Sequence, residues 1–324
     1  MIIINKLRKI KKNYLSQKIL TQDAYSYKDY YATSEESENN GKAAARDILV
    51  FSHVVEKGLS HKFLKPLFGY DRVKIISERL KQYIEYGGND QFIISLALST
   101  LEHYNKVNVD MKVPNEKLII VPLSNCEERM DVGATELSAS QFFSNSNGFV
   151  SNFSMSRHSL RLYDCLSDEI SDEDILKSIR IAQSAPSACN RQSTRIKIVK
   201  DKQLMKKIFD IQGGAKGFGD NAGALLIVTS DISLYEPAER RLPPFDAGLF
   251  TMNLVYALHD NKIGSCILNA SFTKEREIEI QKVASLPSNE MYCALIALSK
   301  IPDKETVKIA KSGKRAIKDI VSYL

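Results

Sequence analysis

No tryptophan occurs anywhere in the 324 residues, no two cysteines form a C-x-x-C pair, and no apolar run approaches the thickness of a bilayer. The five cysteines, Cys126, Cys165, Cys189, Cys266 and Cys293, are odd in number and scattered. That pattern argues against a disulfide framework and a zinc knuckle, and it suits a reducing cytoplasm. A membrane-spanning helix needs roughly 20 consecutive apolar residues, so no integral membrane segment is expected. The short apolar start Met1-Ile2-Ile3-Ile4 precedes the basic cluster from Lys6 to Lys12, the reverse of a secretory signal's order. Charge of one sign is also scarce: 45 Lys and Arg against 39 Asp and Glu leave +6. Such a balance carries no strong footprint for nucleic acid. The basic first segment reads as a solvated helix face, with an anionic membrane or nucleic acid as the alternative partner. The sequence-based expectation is a cytoplasmic protein.

What is present is 44% hydrophobic and 26% charged residues, enough for two modest domains. From Gly41 to Phe143 the texture is helical. Asp71 can cap a helix whose Val73, Ile76, Leu80 and Tyr83 share a face, Gly87-Gly88 stops it, and Asp90 starts another with Phe92, Ile93, Leu96 and Leu101. The polar stretch Ser144-Asn145-Ser146-Asn147-Gly148 reads as a linker. The chain is therefore divided into a helical region, 1–150, and a second domain, 151–324. In the second, short β-like runs, Arg195 to Val199, Ala224 to Thr229 and Met291 to Leu298, alternate with helices. Ser171 caps one helix, with acidic residues in its first turn, and another spans Asp246 to about Asp260. This order predicts an α+β fold, a three-layer α/β/α sandwich preceded by an all-helical N-terminal region.

Four segments of the second domain carry candidate chemistry. Arg157-His158-Ser159-Leu160-Arg161 places two guanidinium groups and a hydroxyl within five residues, a set suited to phosphate. Read locally, it is a solvated basic turn. Ala185-Pro186-Ser187-Ala188-Cys189-Asn190-Arg191-Gln192 offers a proline-fixed loop with amides that can both donate and accept, as a flavin edge requires, or an ordinary helix-to-strand loop. Gly264-Ser265-Cys266-Ile267-Leu268-Asn269 gives an open backbone approach at Gly264, or simply a helix terminator. Ser312-Gly313-Lys314-Arg315 is a small basic cluster or a solvated tail, and it lacks the leading glycine of a P-loop. Gly217-Phe218-Gly219-Asp220-Asn221-Ala222 fits a dinucleotide fingerprint in letters, but it precedes a strand where it should follow one.

In this order and at these separations the segments resemble the nitroreductase family of flavin mononucleotide (FMN) enzymes, over roughly residues 154 to 324. The resemblance implies FMN as cofactor, NAD(P)H as electron donor and a small electron-poor acceptor, such as a nitro compound, a quinone or a pathway intermediate. The two substrates would use one site in turn, by a ping-pong mechanism. It implies a homodimer with FMN at the interface, and the Asp246 helix, through Leu249, Met252, Leu254 and Leu258, is a candidate for its core. By the same resemblance Arg157 and Ser159 are phosphate ligands, with His158 beside them through its backbone, and Arg161 lies near the pyrimidine edge of the ring. Pro186, Ser187 and Asn190 pack on the flavin, from the partner subunit in one arrangement, and Leu268 and Asn269 lie near its reactive N5. Lys314 and Arg315 close the phosphate clamp. No protein side chain is assigned a catalytic role, because FMN carries the chemistry. The chain departs from the family where many members have Gln-Pro-Trp, for it has Gln192-Ser193-Thr194. It departs again at Leu268-Asn269-Ala270, where many have an acidic residue or glycine.

In the N-terminal region, His53-Val54-Val55-Glu56-Lys57-Gly58-Leu59 resembles an H-x-x-E-K-G-L segment that accompanies some nitroreductase-like proteins of bacterial polysaccharide gene clusters. His53 and Glu56 share a helix face and read as a helix pair rather than metal ligands, and Gly58 reads as a helix C-cap. Two other functions stand beside the general oxidoreductase: a dedicated biosynthetic flavoenzyme acting on a polysaccharide-pathway intermediate, and a non-catalytic, FMN-holding interaction protein.

Overall fold

The computed structural model describes residues 14, 21, 41–59, 64–134, 149–163, 165–270, 272–303, 305–307 and 316–324. The expected linker at 144–148, the basic first segment and the Lys314-Arg315 pair lie outside the described residues. Among the described residues no helix is long and apolar enough to cross a membrane.

Three helices come first: α1 (Lys42–Leu59), α2 (Tyr70–Glu85) and α3 (Gln91–Asp110). Their apolar faces meet in one core, with Ile48, Val73, Ile76, Leu80, Leu98, Leu101 and Tyr104 all buried. Asp90 caps α3, accepting from the Phe92 N–H at 2.9 Å. Asp71 does not cap α2. Gly69, left-handed at φ 62°, stands at that position and Asp71 falls in the first turn. Gly58 is likewise not a cap. It lies inside α1 against the Phe68 ring, where a Cβ would sit 2.5 Å from a ring carbon, so the absent side chain serves close packing.

The second part is α4 (Phe149–Ser156), α5 (Asp172–Ala182), β1 (Thr194–Val199), α6 (Lys202–Gln212), β2 (Ala224–Asp231), α7 (Leu242–Asp260), β3 (Gly264–Leu268), α8 (Lys274–Val283) and β4 (Glu290–Ser299). The strands form one antiparallel sheet in the order β1-β2-β4-β3. Because side chains alternate across a strand, both faces of the central strands are apolar. Leu225 and Ile227 of β2, with Leu295 and Ala297 of β4, pack under α6 and α8. Leu226, Val228, Ile296 and Leu298 pack under α5 and α7. The result is the expected α/β/α sandwich behind a helical region. Ser171 caps α5, accepting from the Asp174 N–H at 3.0 Å.

Two readings of the second part change. The Gly264 segment, read as an open backbone approach or a helix terminator, is a strand, and it pairs with β4 from Gly264↔Ser299 to Leu268↔Leu295. Helix α7 starts at Leu242, with Pro243 and Pro244 in its first turn, and its Leu254 and Leu258 are buried in the chain's own core. They are therefore not free to form a dimer core. The outward side of α7 is Phe245, Gly248 and Met252.

Candidate functional site

The cationic segment is held on the outer edge of the sheet. Ser159 bridges Ser265 in parallel fashion, and the Leu160 N–H donates to the Ser265 carbonyl at 3.0 Å. Leu160 fills the space over Gly264, where a Cβ would overlap it. The glycine thus admits a leucine rather than lying open to a planar ring. This docking fixes Arg157, His158 and Arg161 beside β3. Burial pushes the Cys266 thiol upward, and the Arg161 and Arg157 charges oppose that shift. The His259 pKa is lowered, mainly by burial and then by the Arg157 and His158 charges. Its Nε2 lies 2.9 Å from Ser156 Oγ. The Arg161 guanidinium lies 5.9 Å from the centre of the Phe218 ring. Among the described residues neither Arg157 nor Arg161 is ion-paired with a carboxylate, and Arg157 Nε is buried without a hydrogen-bond partner. Buried donors are ordinarily satisfied. A positive pair with an orphaned buried donor fits an anion such as the phosphate of a mononucleotide.

Further along β3, Leu268 is buried in the sheet core, while Asn269 is exposed. The Gln212 amide donates to the Asn269 carbonyl at 3.3 Å. Lys314 and Arg315 lie outside the described residues.

The Ala185–Gln192 loop is built differently. Pro186 and Asn190 are exposed. Cys189, Asn190 and Gln192 have φ of 52°, 51° and 50°, a left-handed backbone that costs non-glycine residues on the order of 1 kcal/mol or more each. Local hydrogen bonds offset this. The Asn190 N–H donates to the Ser187 carbonyl at 2.9 Å, and the Gln192 N–H to Ser187 Oγ at 3.0 Å. Asp246, only 3% exposed, accepts on one carboxylate oxygen from the Ala188 N–H at 2.9 Å and from the Tyr235 hydroxyl at 2.7 Å. Tyr235 also meets Ser193 Oγ at 2.6 Å, and burial raises its pKa. Arg191, stacked over the Tyr235 ring at 4.8 Å, pairs with Glu239 at 2.7 Å. A chain of charges continues to the N-terminal helices, since Arg46 pairs with Glu236 at 2.6 Å and the Glu236 N–H donates to Glu239 at 2.8 Å.

Tyr235, Ser193 and Arg191 are positioning residues that the sequence does not single out, and it marks Asp246 only as the start of its helix.

The two segments do not meet within one chain. The loop enters β1 at one edge of the sheet, and the cationic segment flanks β3 at the other. They also sit at opposite ends of the strands, for Thr194 aligns through Ser230 with Met291, whereas Ser265 aligns with Leu298. At about 4.8 Å between strands and about 3.4 Å per residue, these corners are on the order of 30 Å apart. Between the loop and the N-terminal helices lies a cavity of about 670 Å³, walled by Leu49, Tyr83 and Phe92 on one side and by Pro186, Arg195 and Phe250 on the other.

Residues 155–299 match the profile of the nitroreductase family. A protein of Archaeoglobus fulgidus named "Putative NADH dehydrogenase/NAD(P)H nitroreductase" is 30% identical over 153 residues, covering 46% of this chain and 83% of its own length. Similar solved structures include an FMN-dependent nitroreductase from Clostridium difficile, with 20% identity, a TM-score of 0.41 and coverage of 49% of this chain and 91% of its own. A nitroreductase family protein from Streptococcus pneumoniae TIGR4 has 21% identity, a TM-score of 0.45 and coverage of 54% and 99%.

Proposed function

The chain belongs to the nitroreductase family, and from that premise we propose that it is an FMN-dependent oxidoreductase that passes electrons from NAD(P)H to a small electron-poor acceptor. The observation that carries the cofactor is the pair Arg157 and Arg161, pinned beside β3 with, among the described residues, no carboxylate ion-paired to it and one buried donor unused. Arg157 and Ser159 hold the phosphate, the His158 backbone lies beside it, and Arg161 stabilises negative charge on the ring's polar edge. Asn269 and the Leu268 backbone border the ring. Lys314 and Arg315 complete the phosphate clamp. FMN, when bound, supplies the hydride and electron transfer that no side chain of the chain provides. Donor and acceptor occupy the site in turn.

Pro186, Ser187 and Asn190 pack on the ring from a second copy of the chain. The separation of the two segments supports this, because corners on the order of 30 Å apart cannot both grip one mononucleotide from the same chain. A face for the second copy is available at the outward side of α7, where Phe245 is 60% exposed and a Cβ at Gly248 would meet no side chain of the described residues within 4 Å.

Titration with FMN and with riboflavin tests the reading. FMN should bind at least about tenfold better, since hydrogen bonds between a phosphate and charged donors contribute roughly 1.5 to 3 kcal/mol each. Equal affinities would remove the phosphate site, and no affinity for either would remove the function.

A further inference from the structure

The cavity between the loop and the N-terminal helices contains an unused cation. Arg195 lines it at the start of β1. Its Nη1 donates to the Gln192 and Thr194 carbonyls at 2.7 and 3.1 Å, and among the described residues no carboxylate lies within ion-pair distance of it. The acidic residues of the same wall are already committed. Asp246 holds Ala188 and Tyr235, Asp231 holds Ser233 and Asn289, and Asp90 caps α3. Arg191, the neighbouring guanidinium, is paired with Glu239. The remaining Arg195 edge, Nε and Nη2, is therefore a planar two-point donor with no partner among the described residues. Such a fork fits a carboxylate or a phosphate. The wall around it is of mixed polarity: its apolar members are Leu49, Phe92 and Ile93 from the N-terminal helices and Pro186 and Phe250 from the second domain, and Lys42 and the three aspartates line it as well. A volume of about 670 Å³ is ample for a small organic molecule.

We propose that this cavity binds the acceptor, and that the acceptor is an organic anion whose carboxylate or phosphate is taken by Arg195 while its electron-poor body lies against Phe92 and Phe250. The placement rests on the oxidoreductase reading, because Pro186 and Ser187 belong both to this cavity and to the loop assigned to the flavin ring. It gives the N-terminal helices a task that the family domain alone leaves open, since one wall of the site is theirs.

The test is calorimetric binding to the full chain, with saturating FMN present, of three probes with one nitroaromatic body: para-nitrobenzoate, para-nitrophenyl phosphate and the neutral para-nitrobenzyl alcohol. At least one anion should bind about tenfold or more tightly than the alcohol, the margin of a hydrogen bond to a charged group, and which anion wins identifies the headgroup. Arg195→Gln should erase that margin and leave the alcohol unchanged. Arg195→Lys, which keeps the charge and loses the fork, should erase part of it. Phe92→Ala should weaken all three probes by a similar factor and preserve the margin. Equal binding of the three probes to the unsubstituted chain would overturn the proposal. So would an Arg195→Gln protein that loses all three equally, or a Phe92→Ala protein that loses none. FMN binding, followed on the same samples by quenching of flavin fluorescence, separates the two readings. A chain that fails to bind FMN yet discriminates the anions defeats the proposed function and not the cavity, and the opposite result defeats the cavity alone.

Discussion

The two segments assigned to the cofactor are built on opposite principles. In the Ala185–Gln192 loop most of the strained backbone is tied down, to Ser187, to Asp246 and through it to Tyr235 and Ser193. In the Arg157–Arg161 segment the backbone is tied to β3, but among the described residues no carboxylate pairs with its guanidinium groups and Arg157 Nε is unused. A saturated segment supplies shape. An unsaturated one supplies affinity, because its donors gain a partner only when an anion arrives.

That contrast can be broken most severely at Asp246. Asp246→Ala should lower stability in urea denaturation by about 3 kcal/mol or more, since two hydrogen bonds to a buried carboxylate are lost and the Ala188 N–H is left unpaired. A loss below about 1 kcal/mol would show that the loop does not depend on this anchor. Arg157→Ala should behave in the reverse way, weakening FMN binding by roughly 1.5 to 3 kcal/mol while leaving the urea midpoint nearly unchanged. If stability falls as much as affinity, the segment is structural and the distinction fails. Tyr235→Phe sharpens the comparison, with an expected cost of about 1 kcal/mol and no change in FMN affinity relative to riboflavin.

The smallest effect concerns His259. Its folded pKa lies below the ordinary histidine value, chiefly through burial, then through Arg157 and His158. The unfolded chain therefore takes up the proton first as pH falls. The contribution to stability is present above about pH 6.5 and is lost below it, and for a partly exposed ring it should stay under about 1 kcal/mol. In NMR titration His259 should titrate low in the free protein and move upward when FMN is added, because a phosphate offsets the Arg157 charge. No upward movement would place the phosphate elsewhere.

Much of this was legible in the chain. The apolar runs of β1, β2 and β4, and the caps Ser171 and Asp90, follow from local pattern and were read within a residue or two. Strand β3 was missed because Gly264-Ser265-Cys266 has little intrinsic preference for a strand. Its extended form comes from β4 on one side and Ser159 on the other, partners distant in sequence. Gly58 and Gly264 were misread for a related reason. Each meets a side chain, Phe68 or Leu160, whose approach depends on tertiary packing. For the cationic segment, residue chemistry alone leaves a phosphate set and a solvated basic turn both open, and only the family resemblance chooses between them. The anchors of the loop were not legible, since Asp246 meets Ala188 across 58 positions and nothing local marks the pair.

The diagonal placement of the two segments on the sheet has a consequence for how the cofactor is kept. On the proposed two-copy arrangement, a flavin gripped by charge from one chain and by shape from another is retained as a property of the pair, and its release accelerates on dilution, as copies separate. Mixing Arg157→Ala chains with chains altered in the Pro186-Ser187 loop would then regenerate, in each mixed pair, one intact site and one doubly damaged site. Two proteins that each hold little flavin alone would together become yellow.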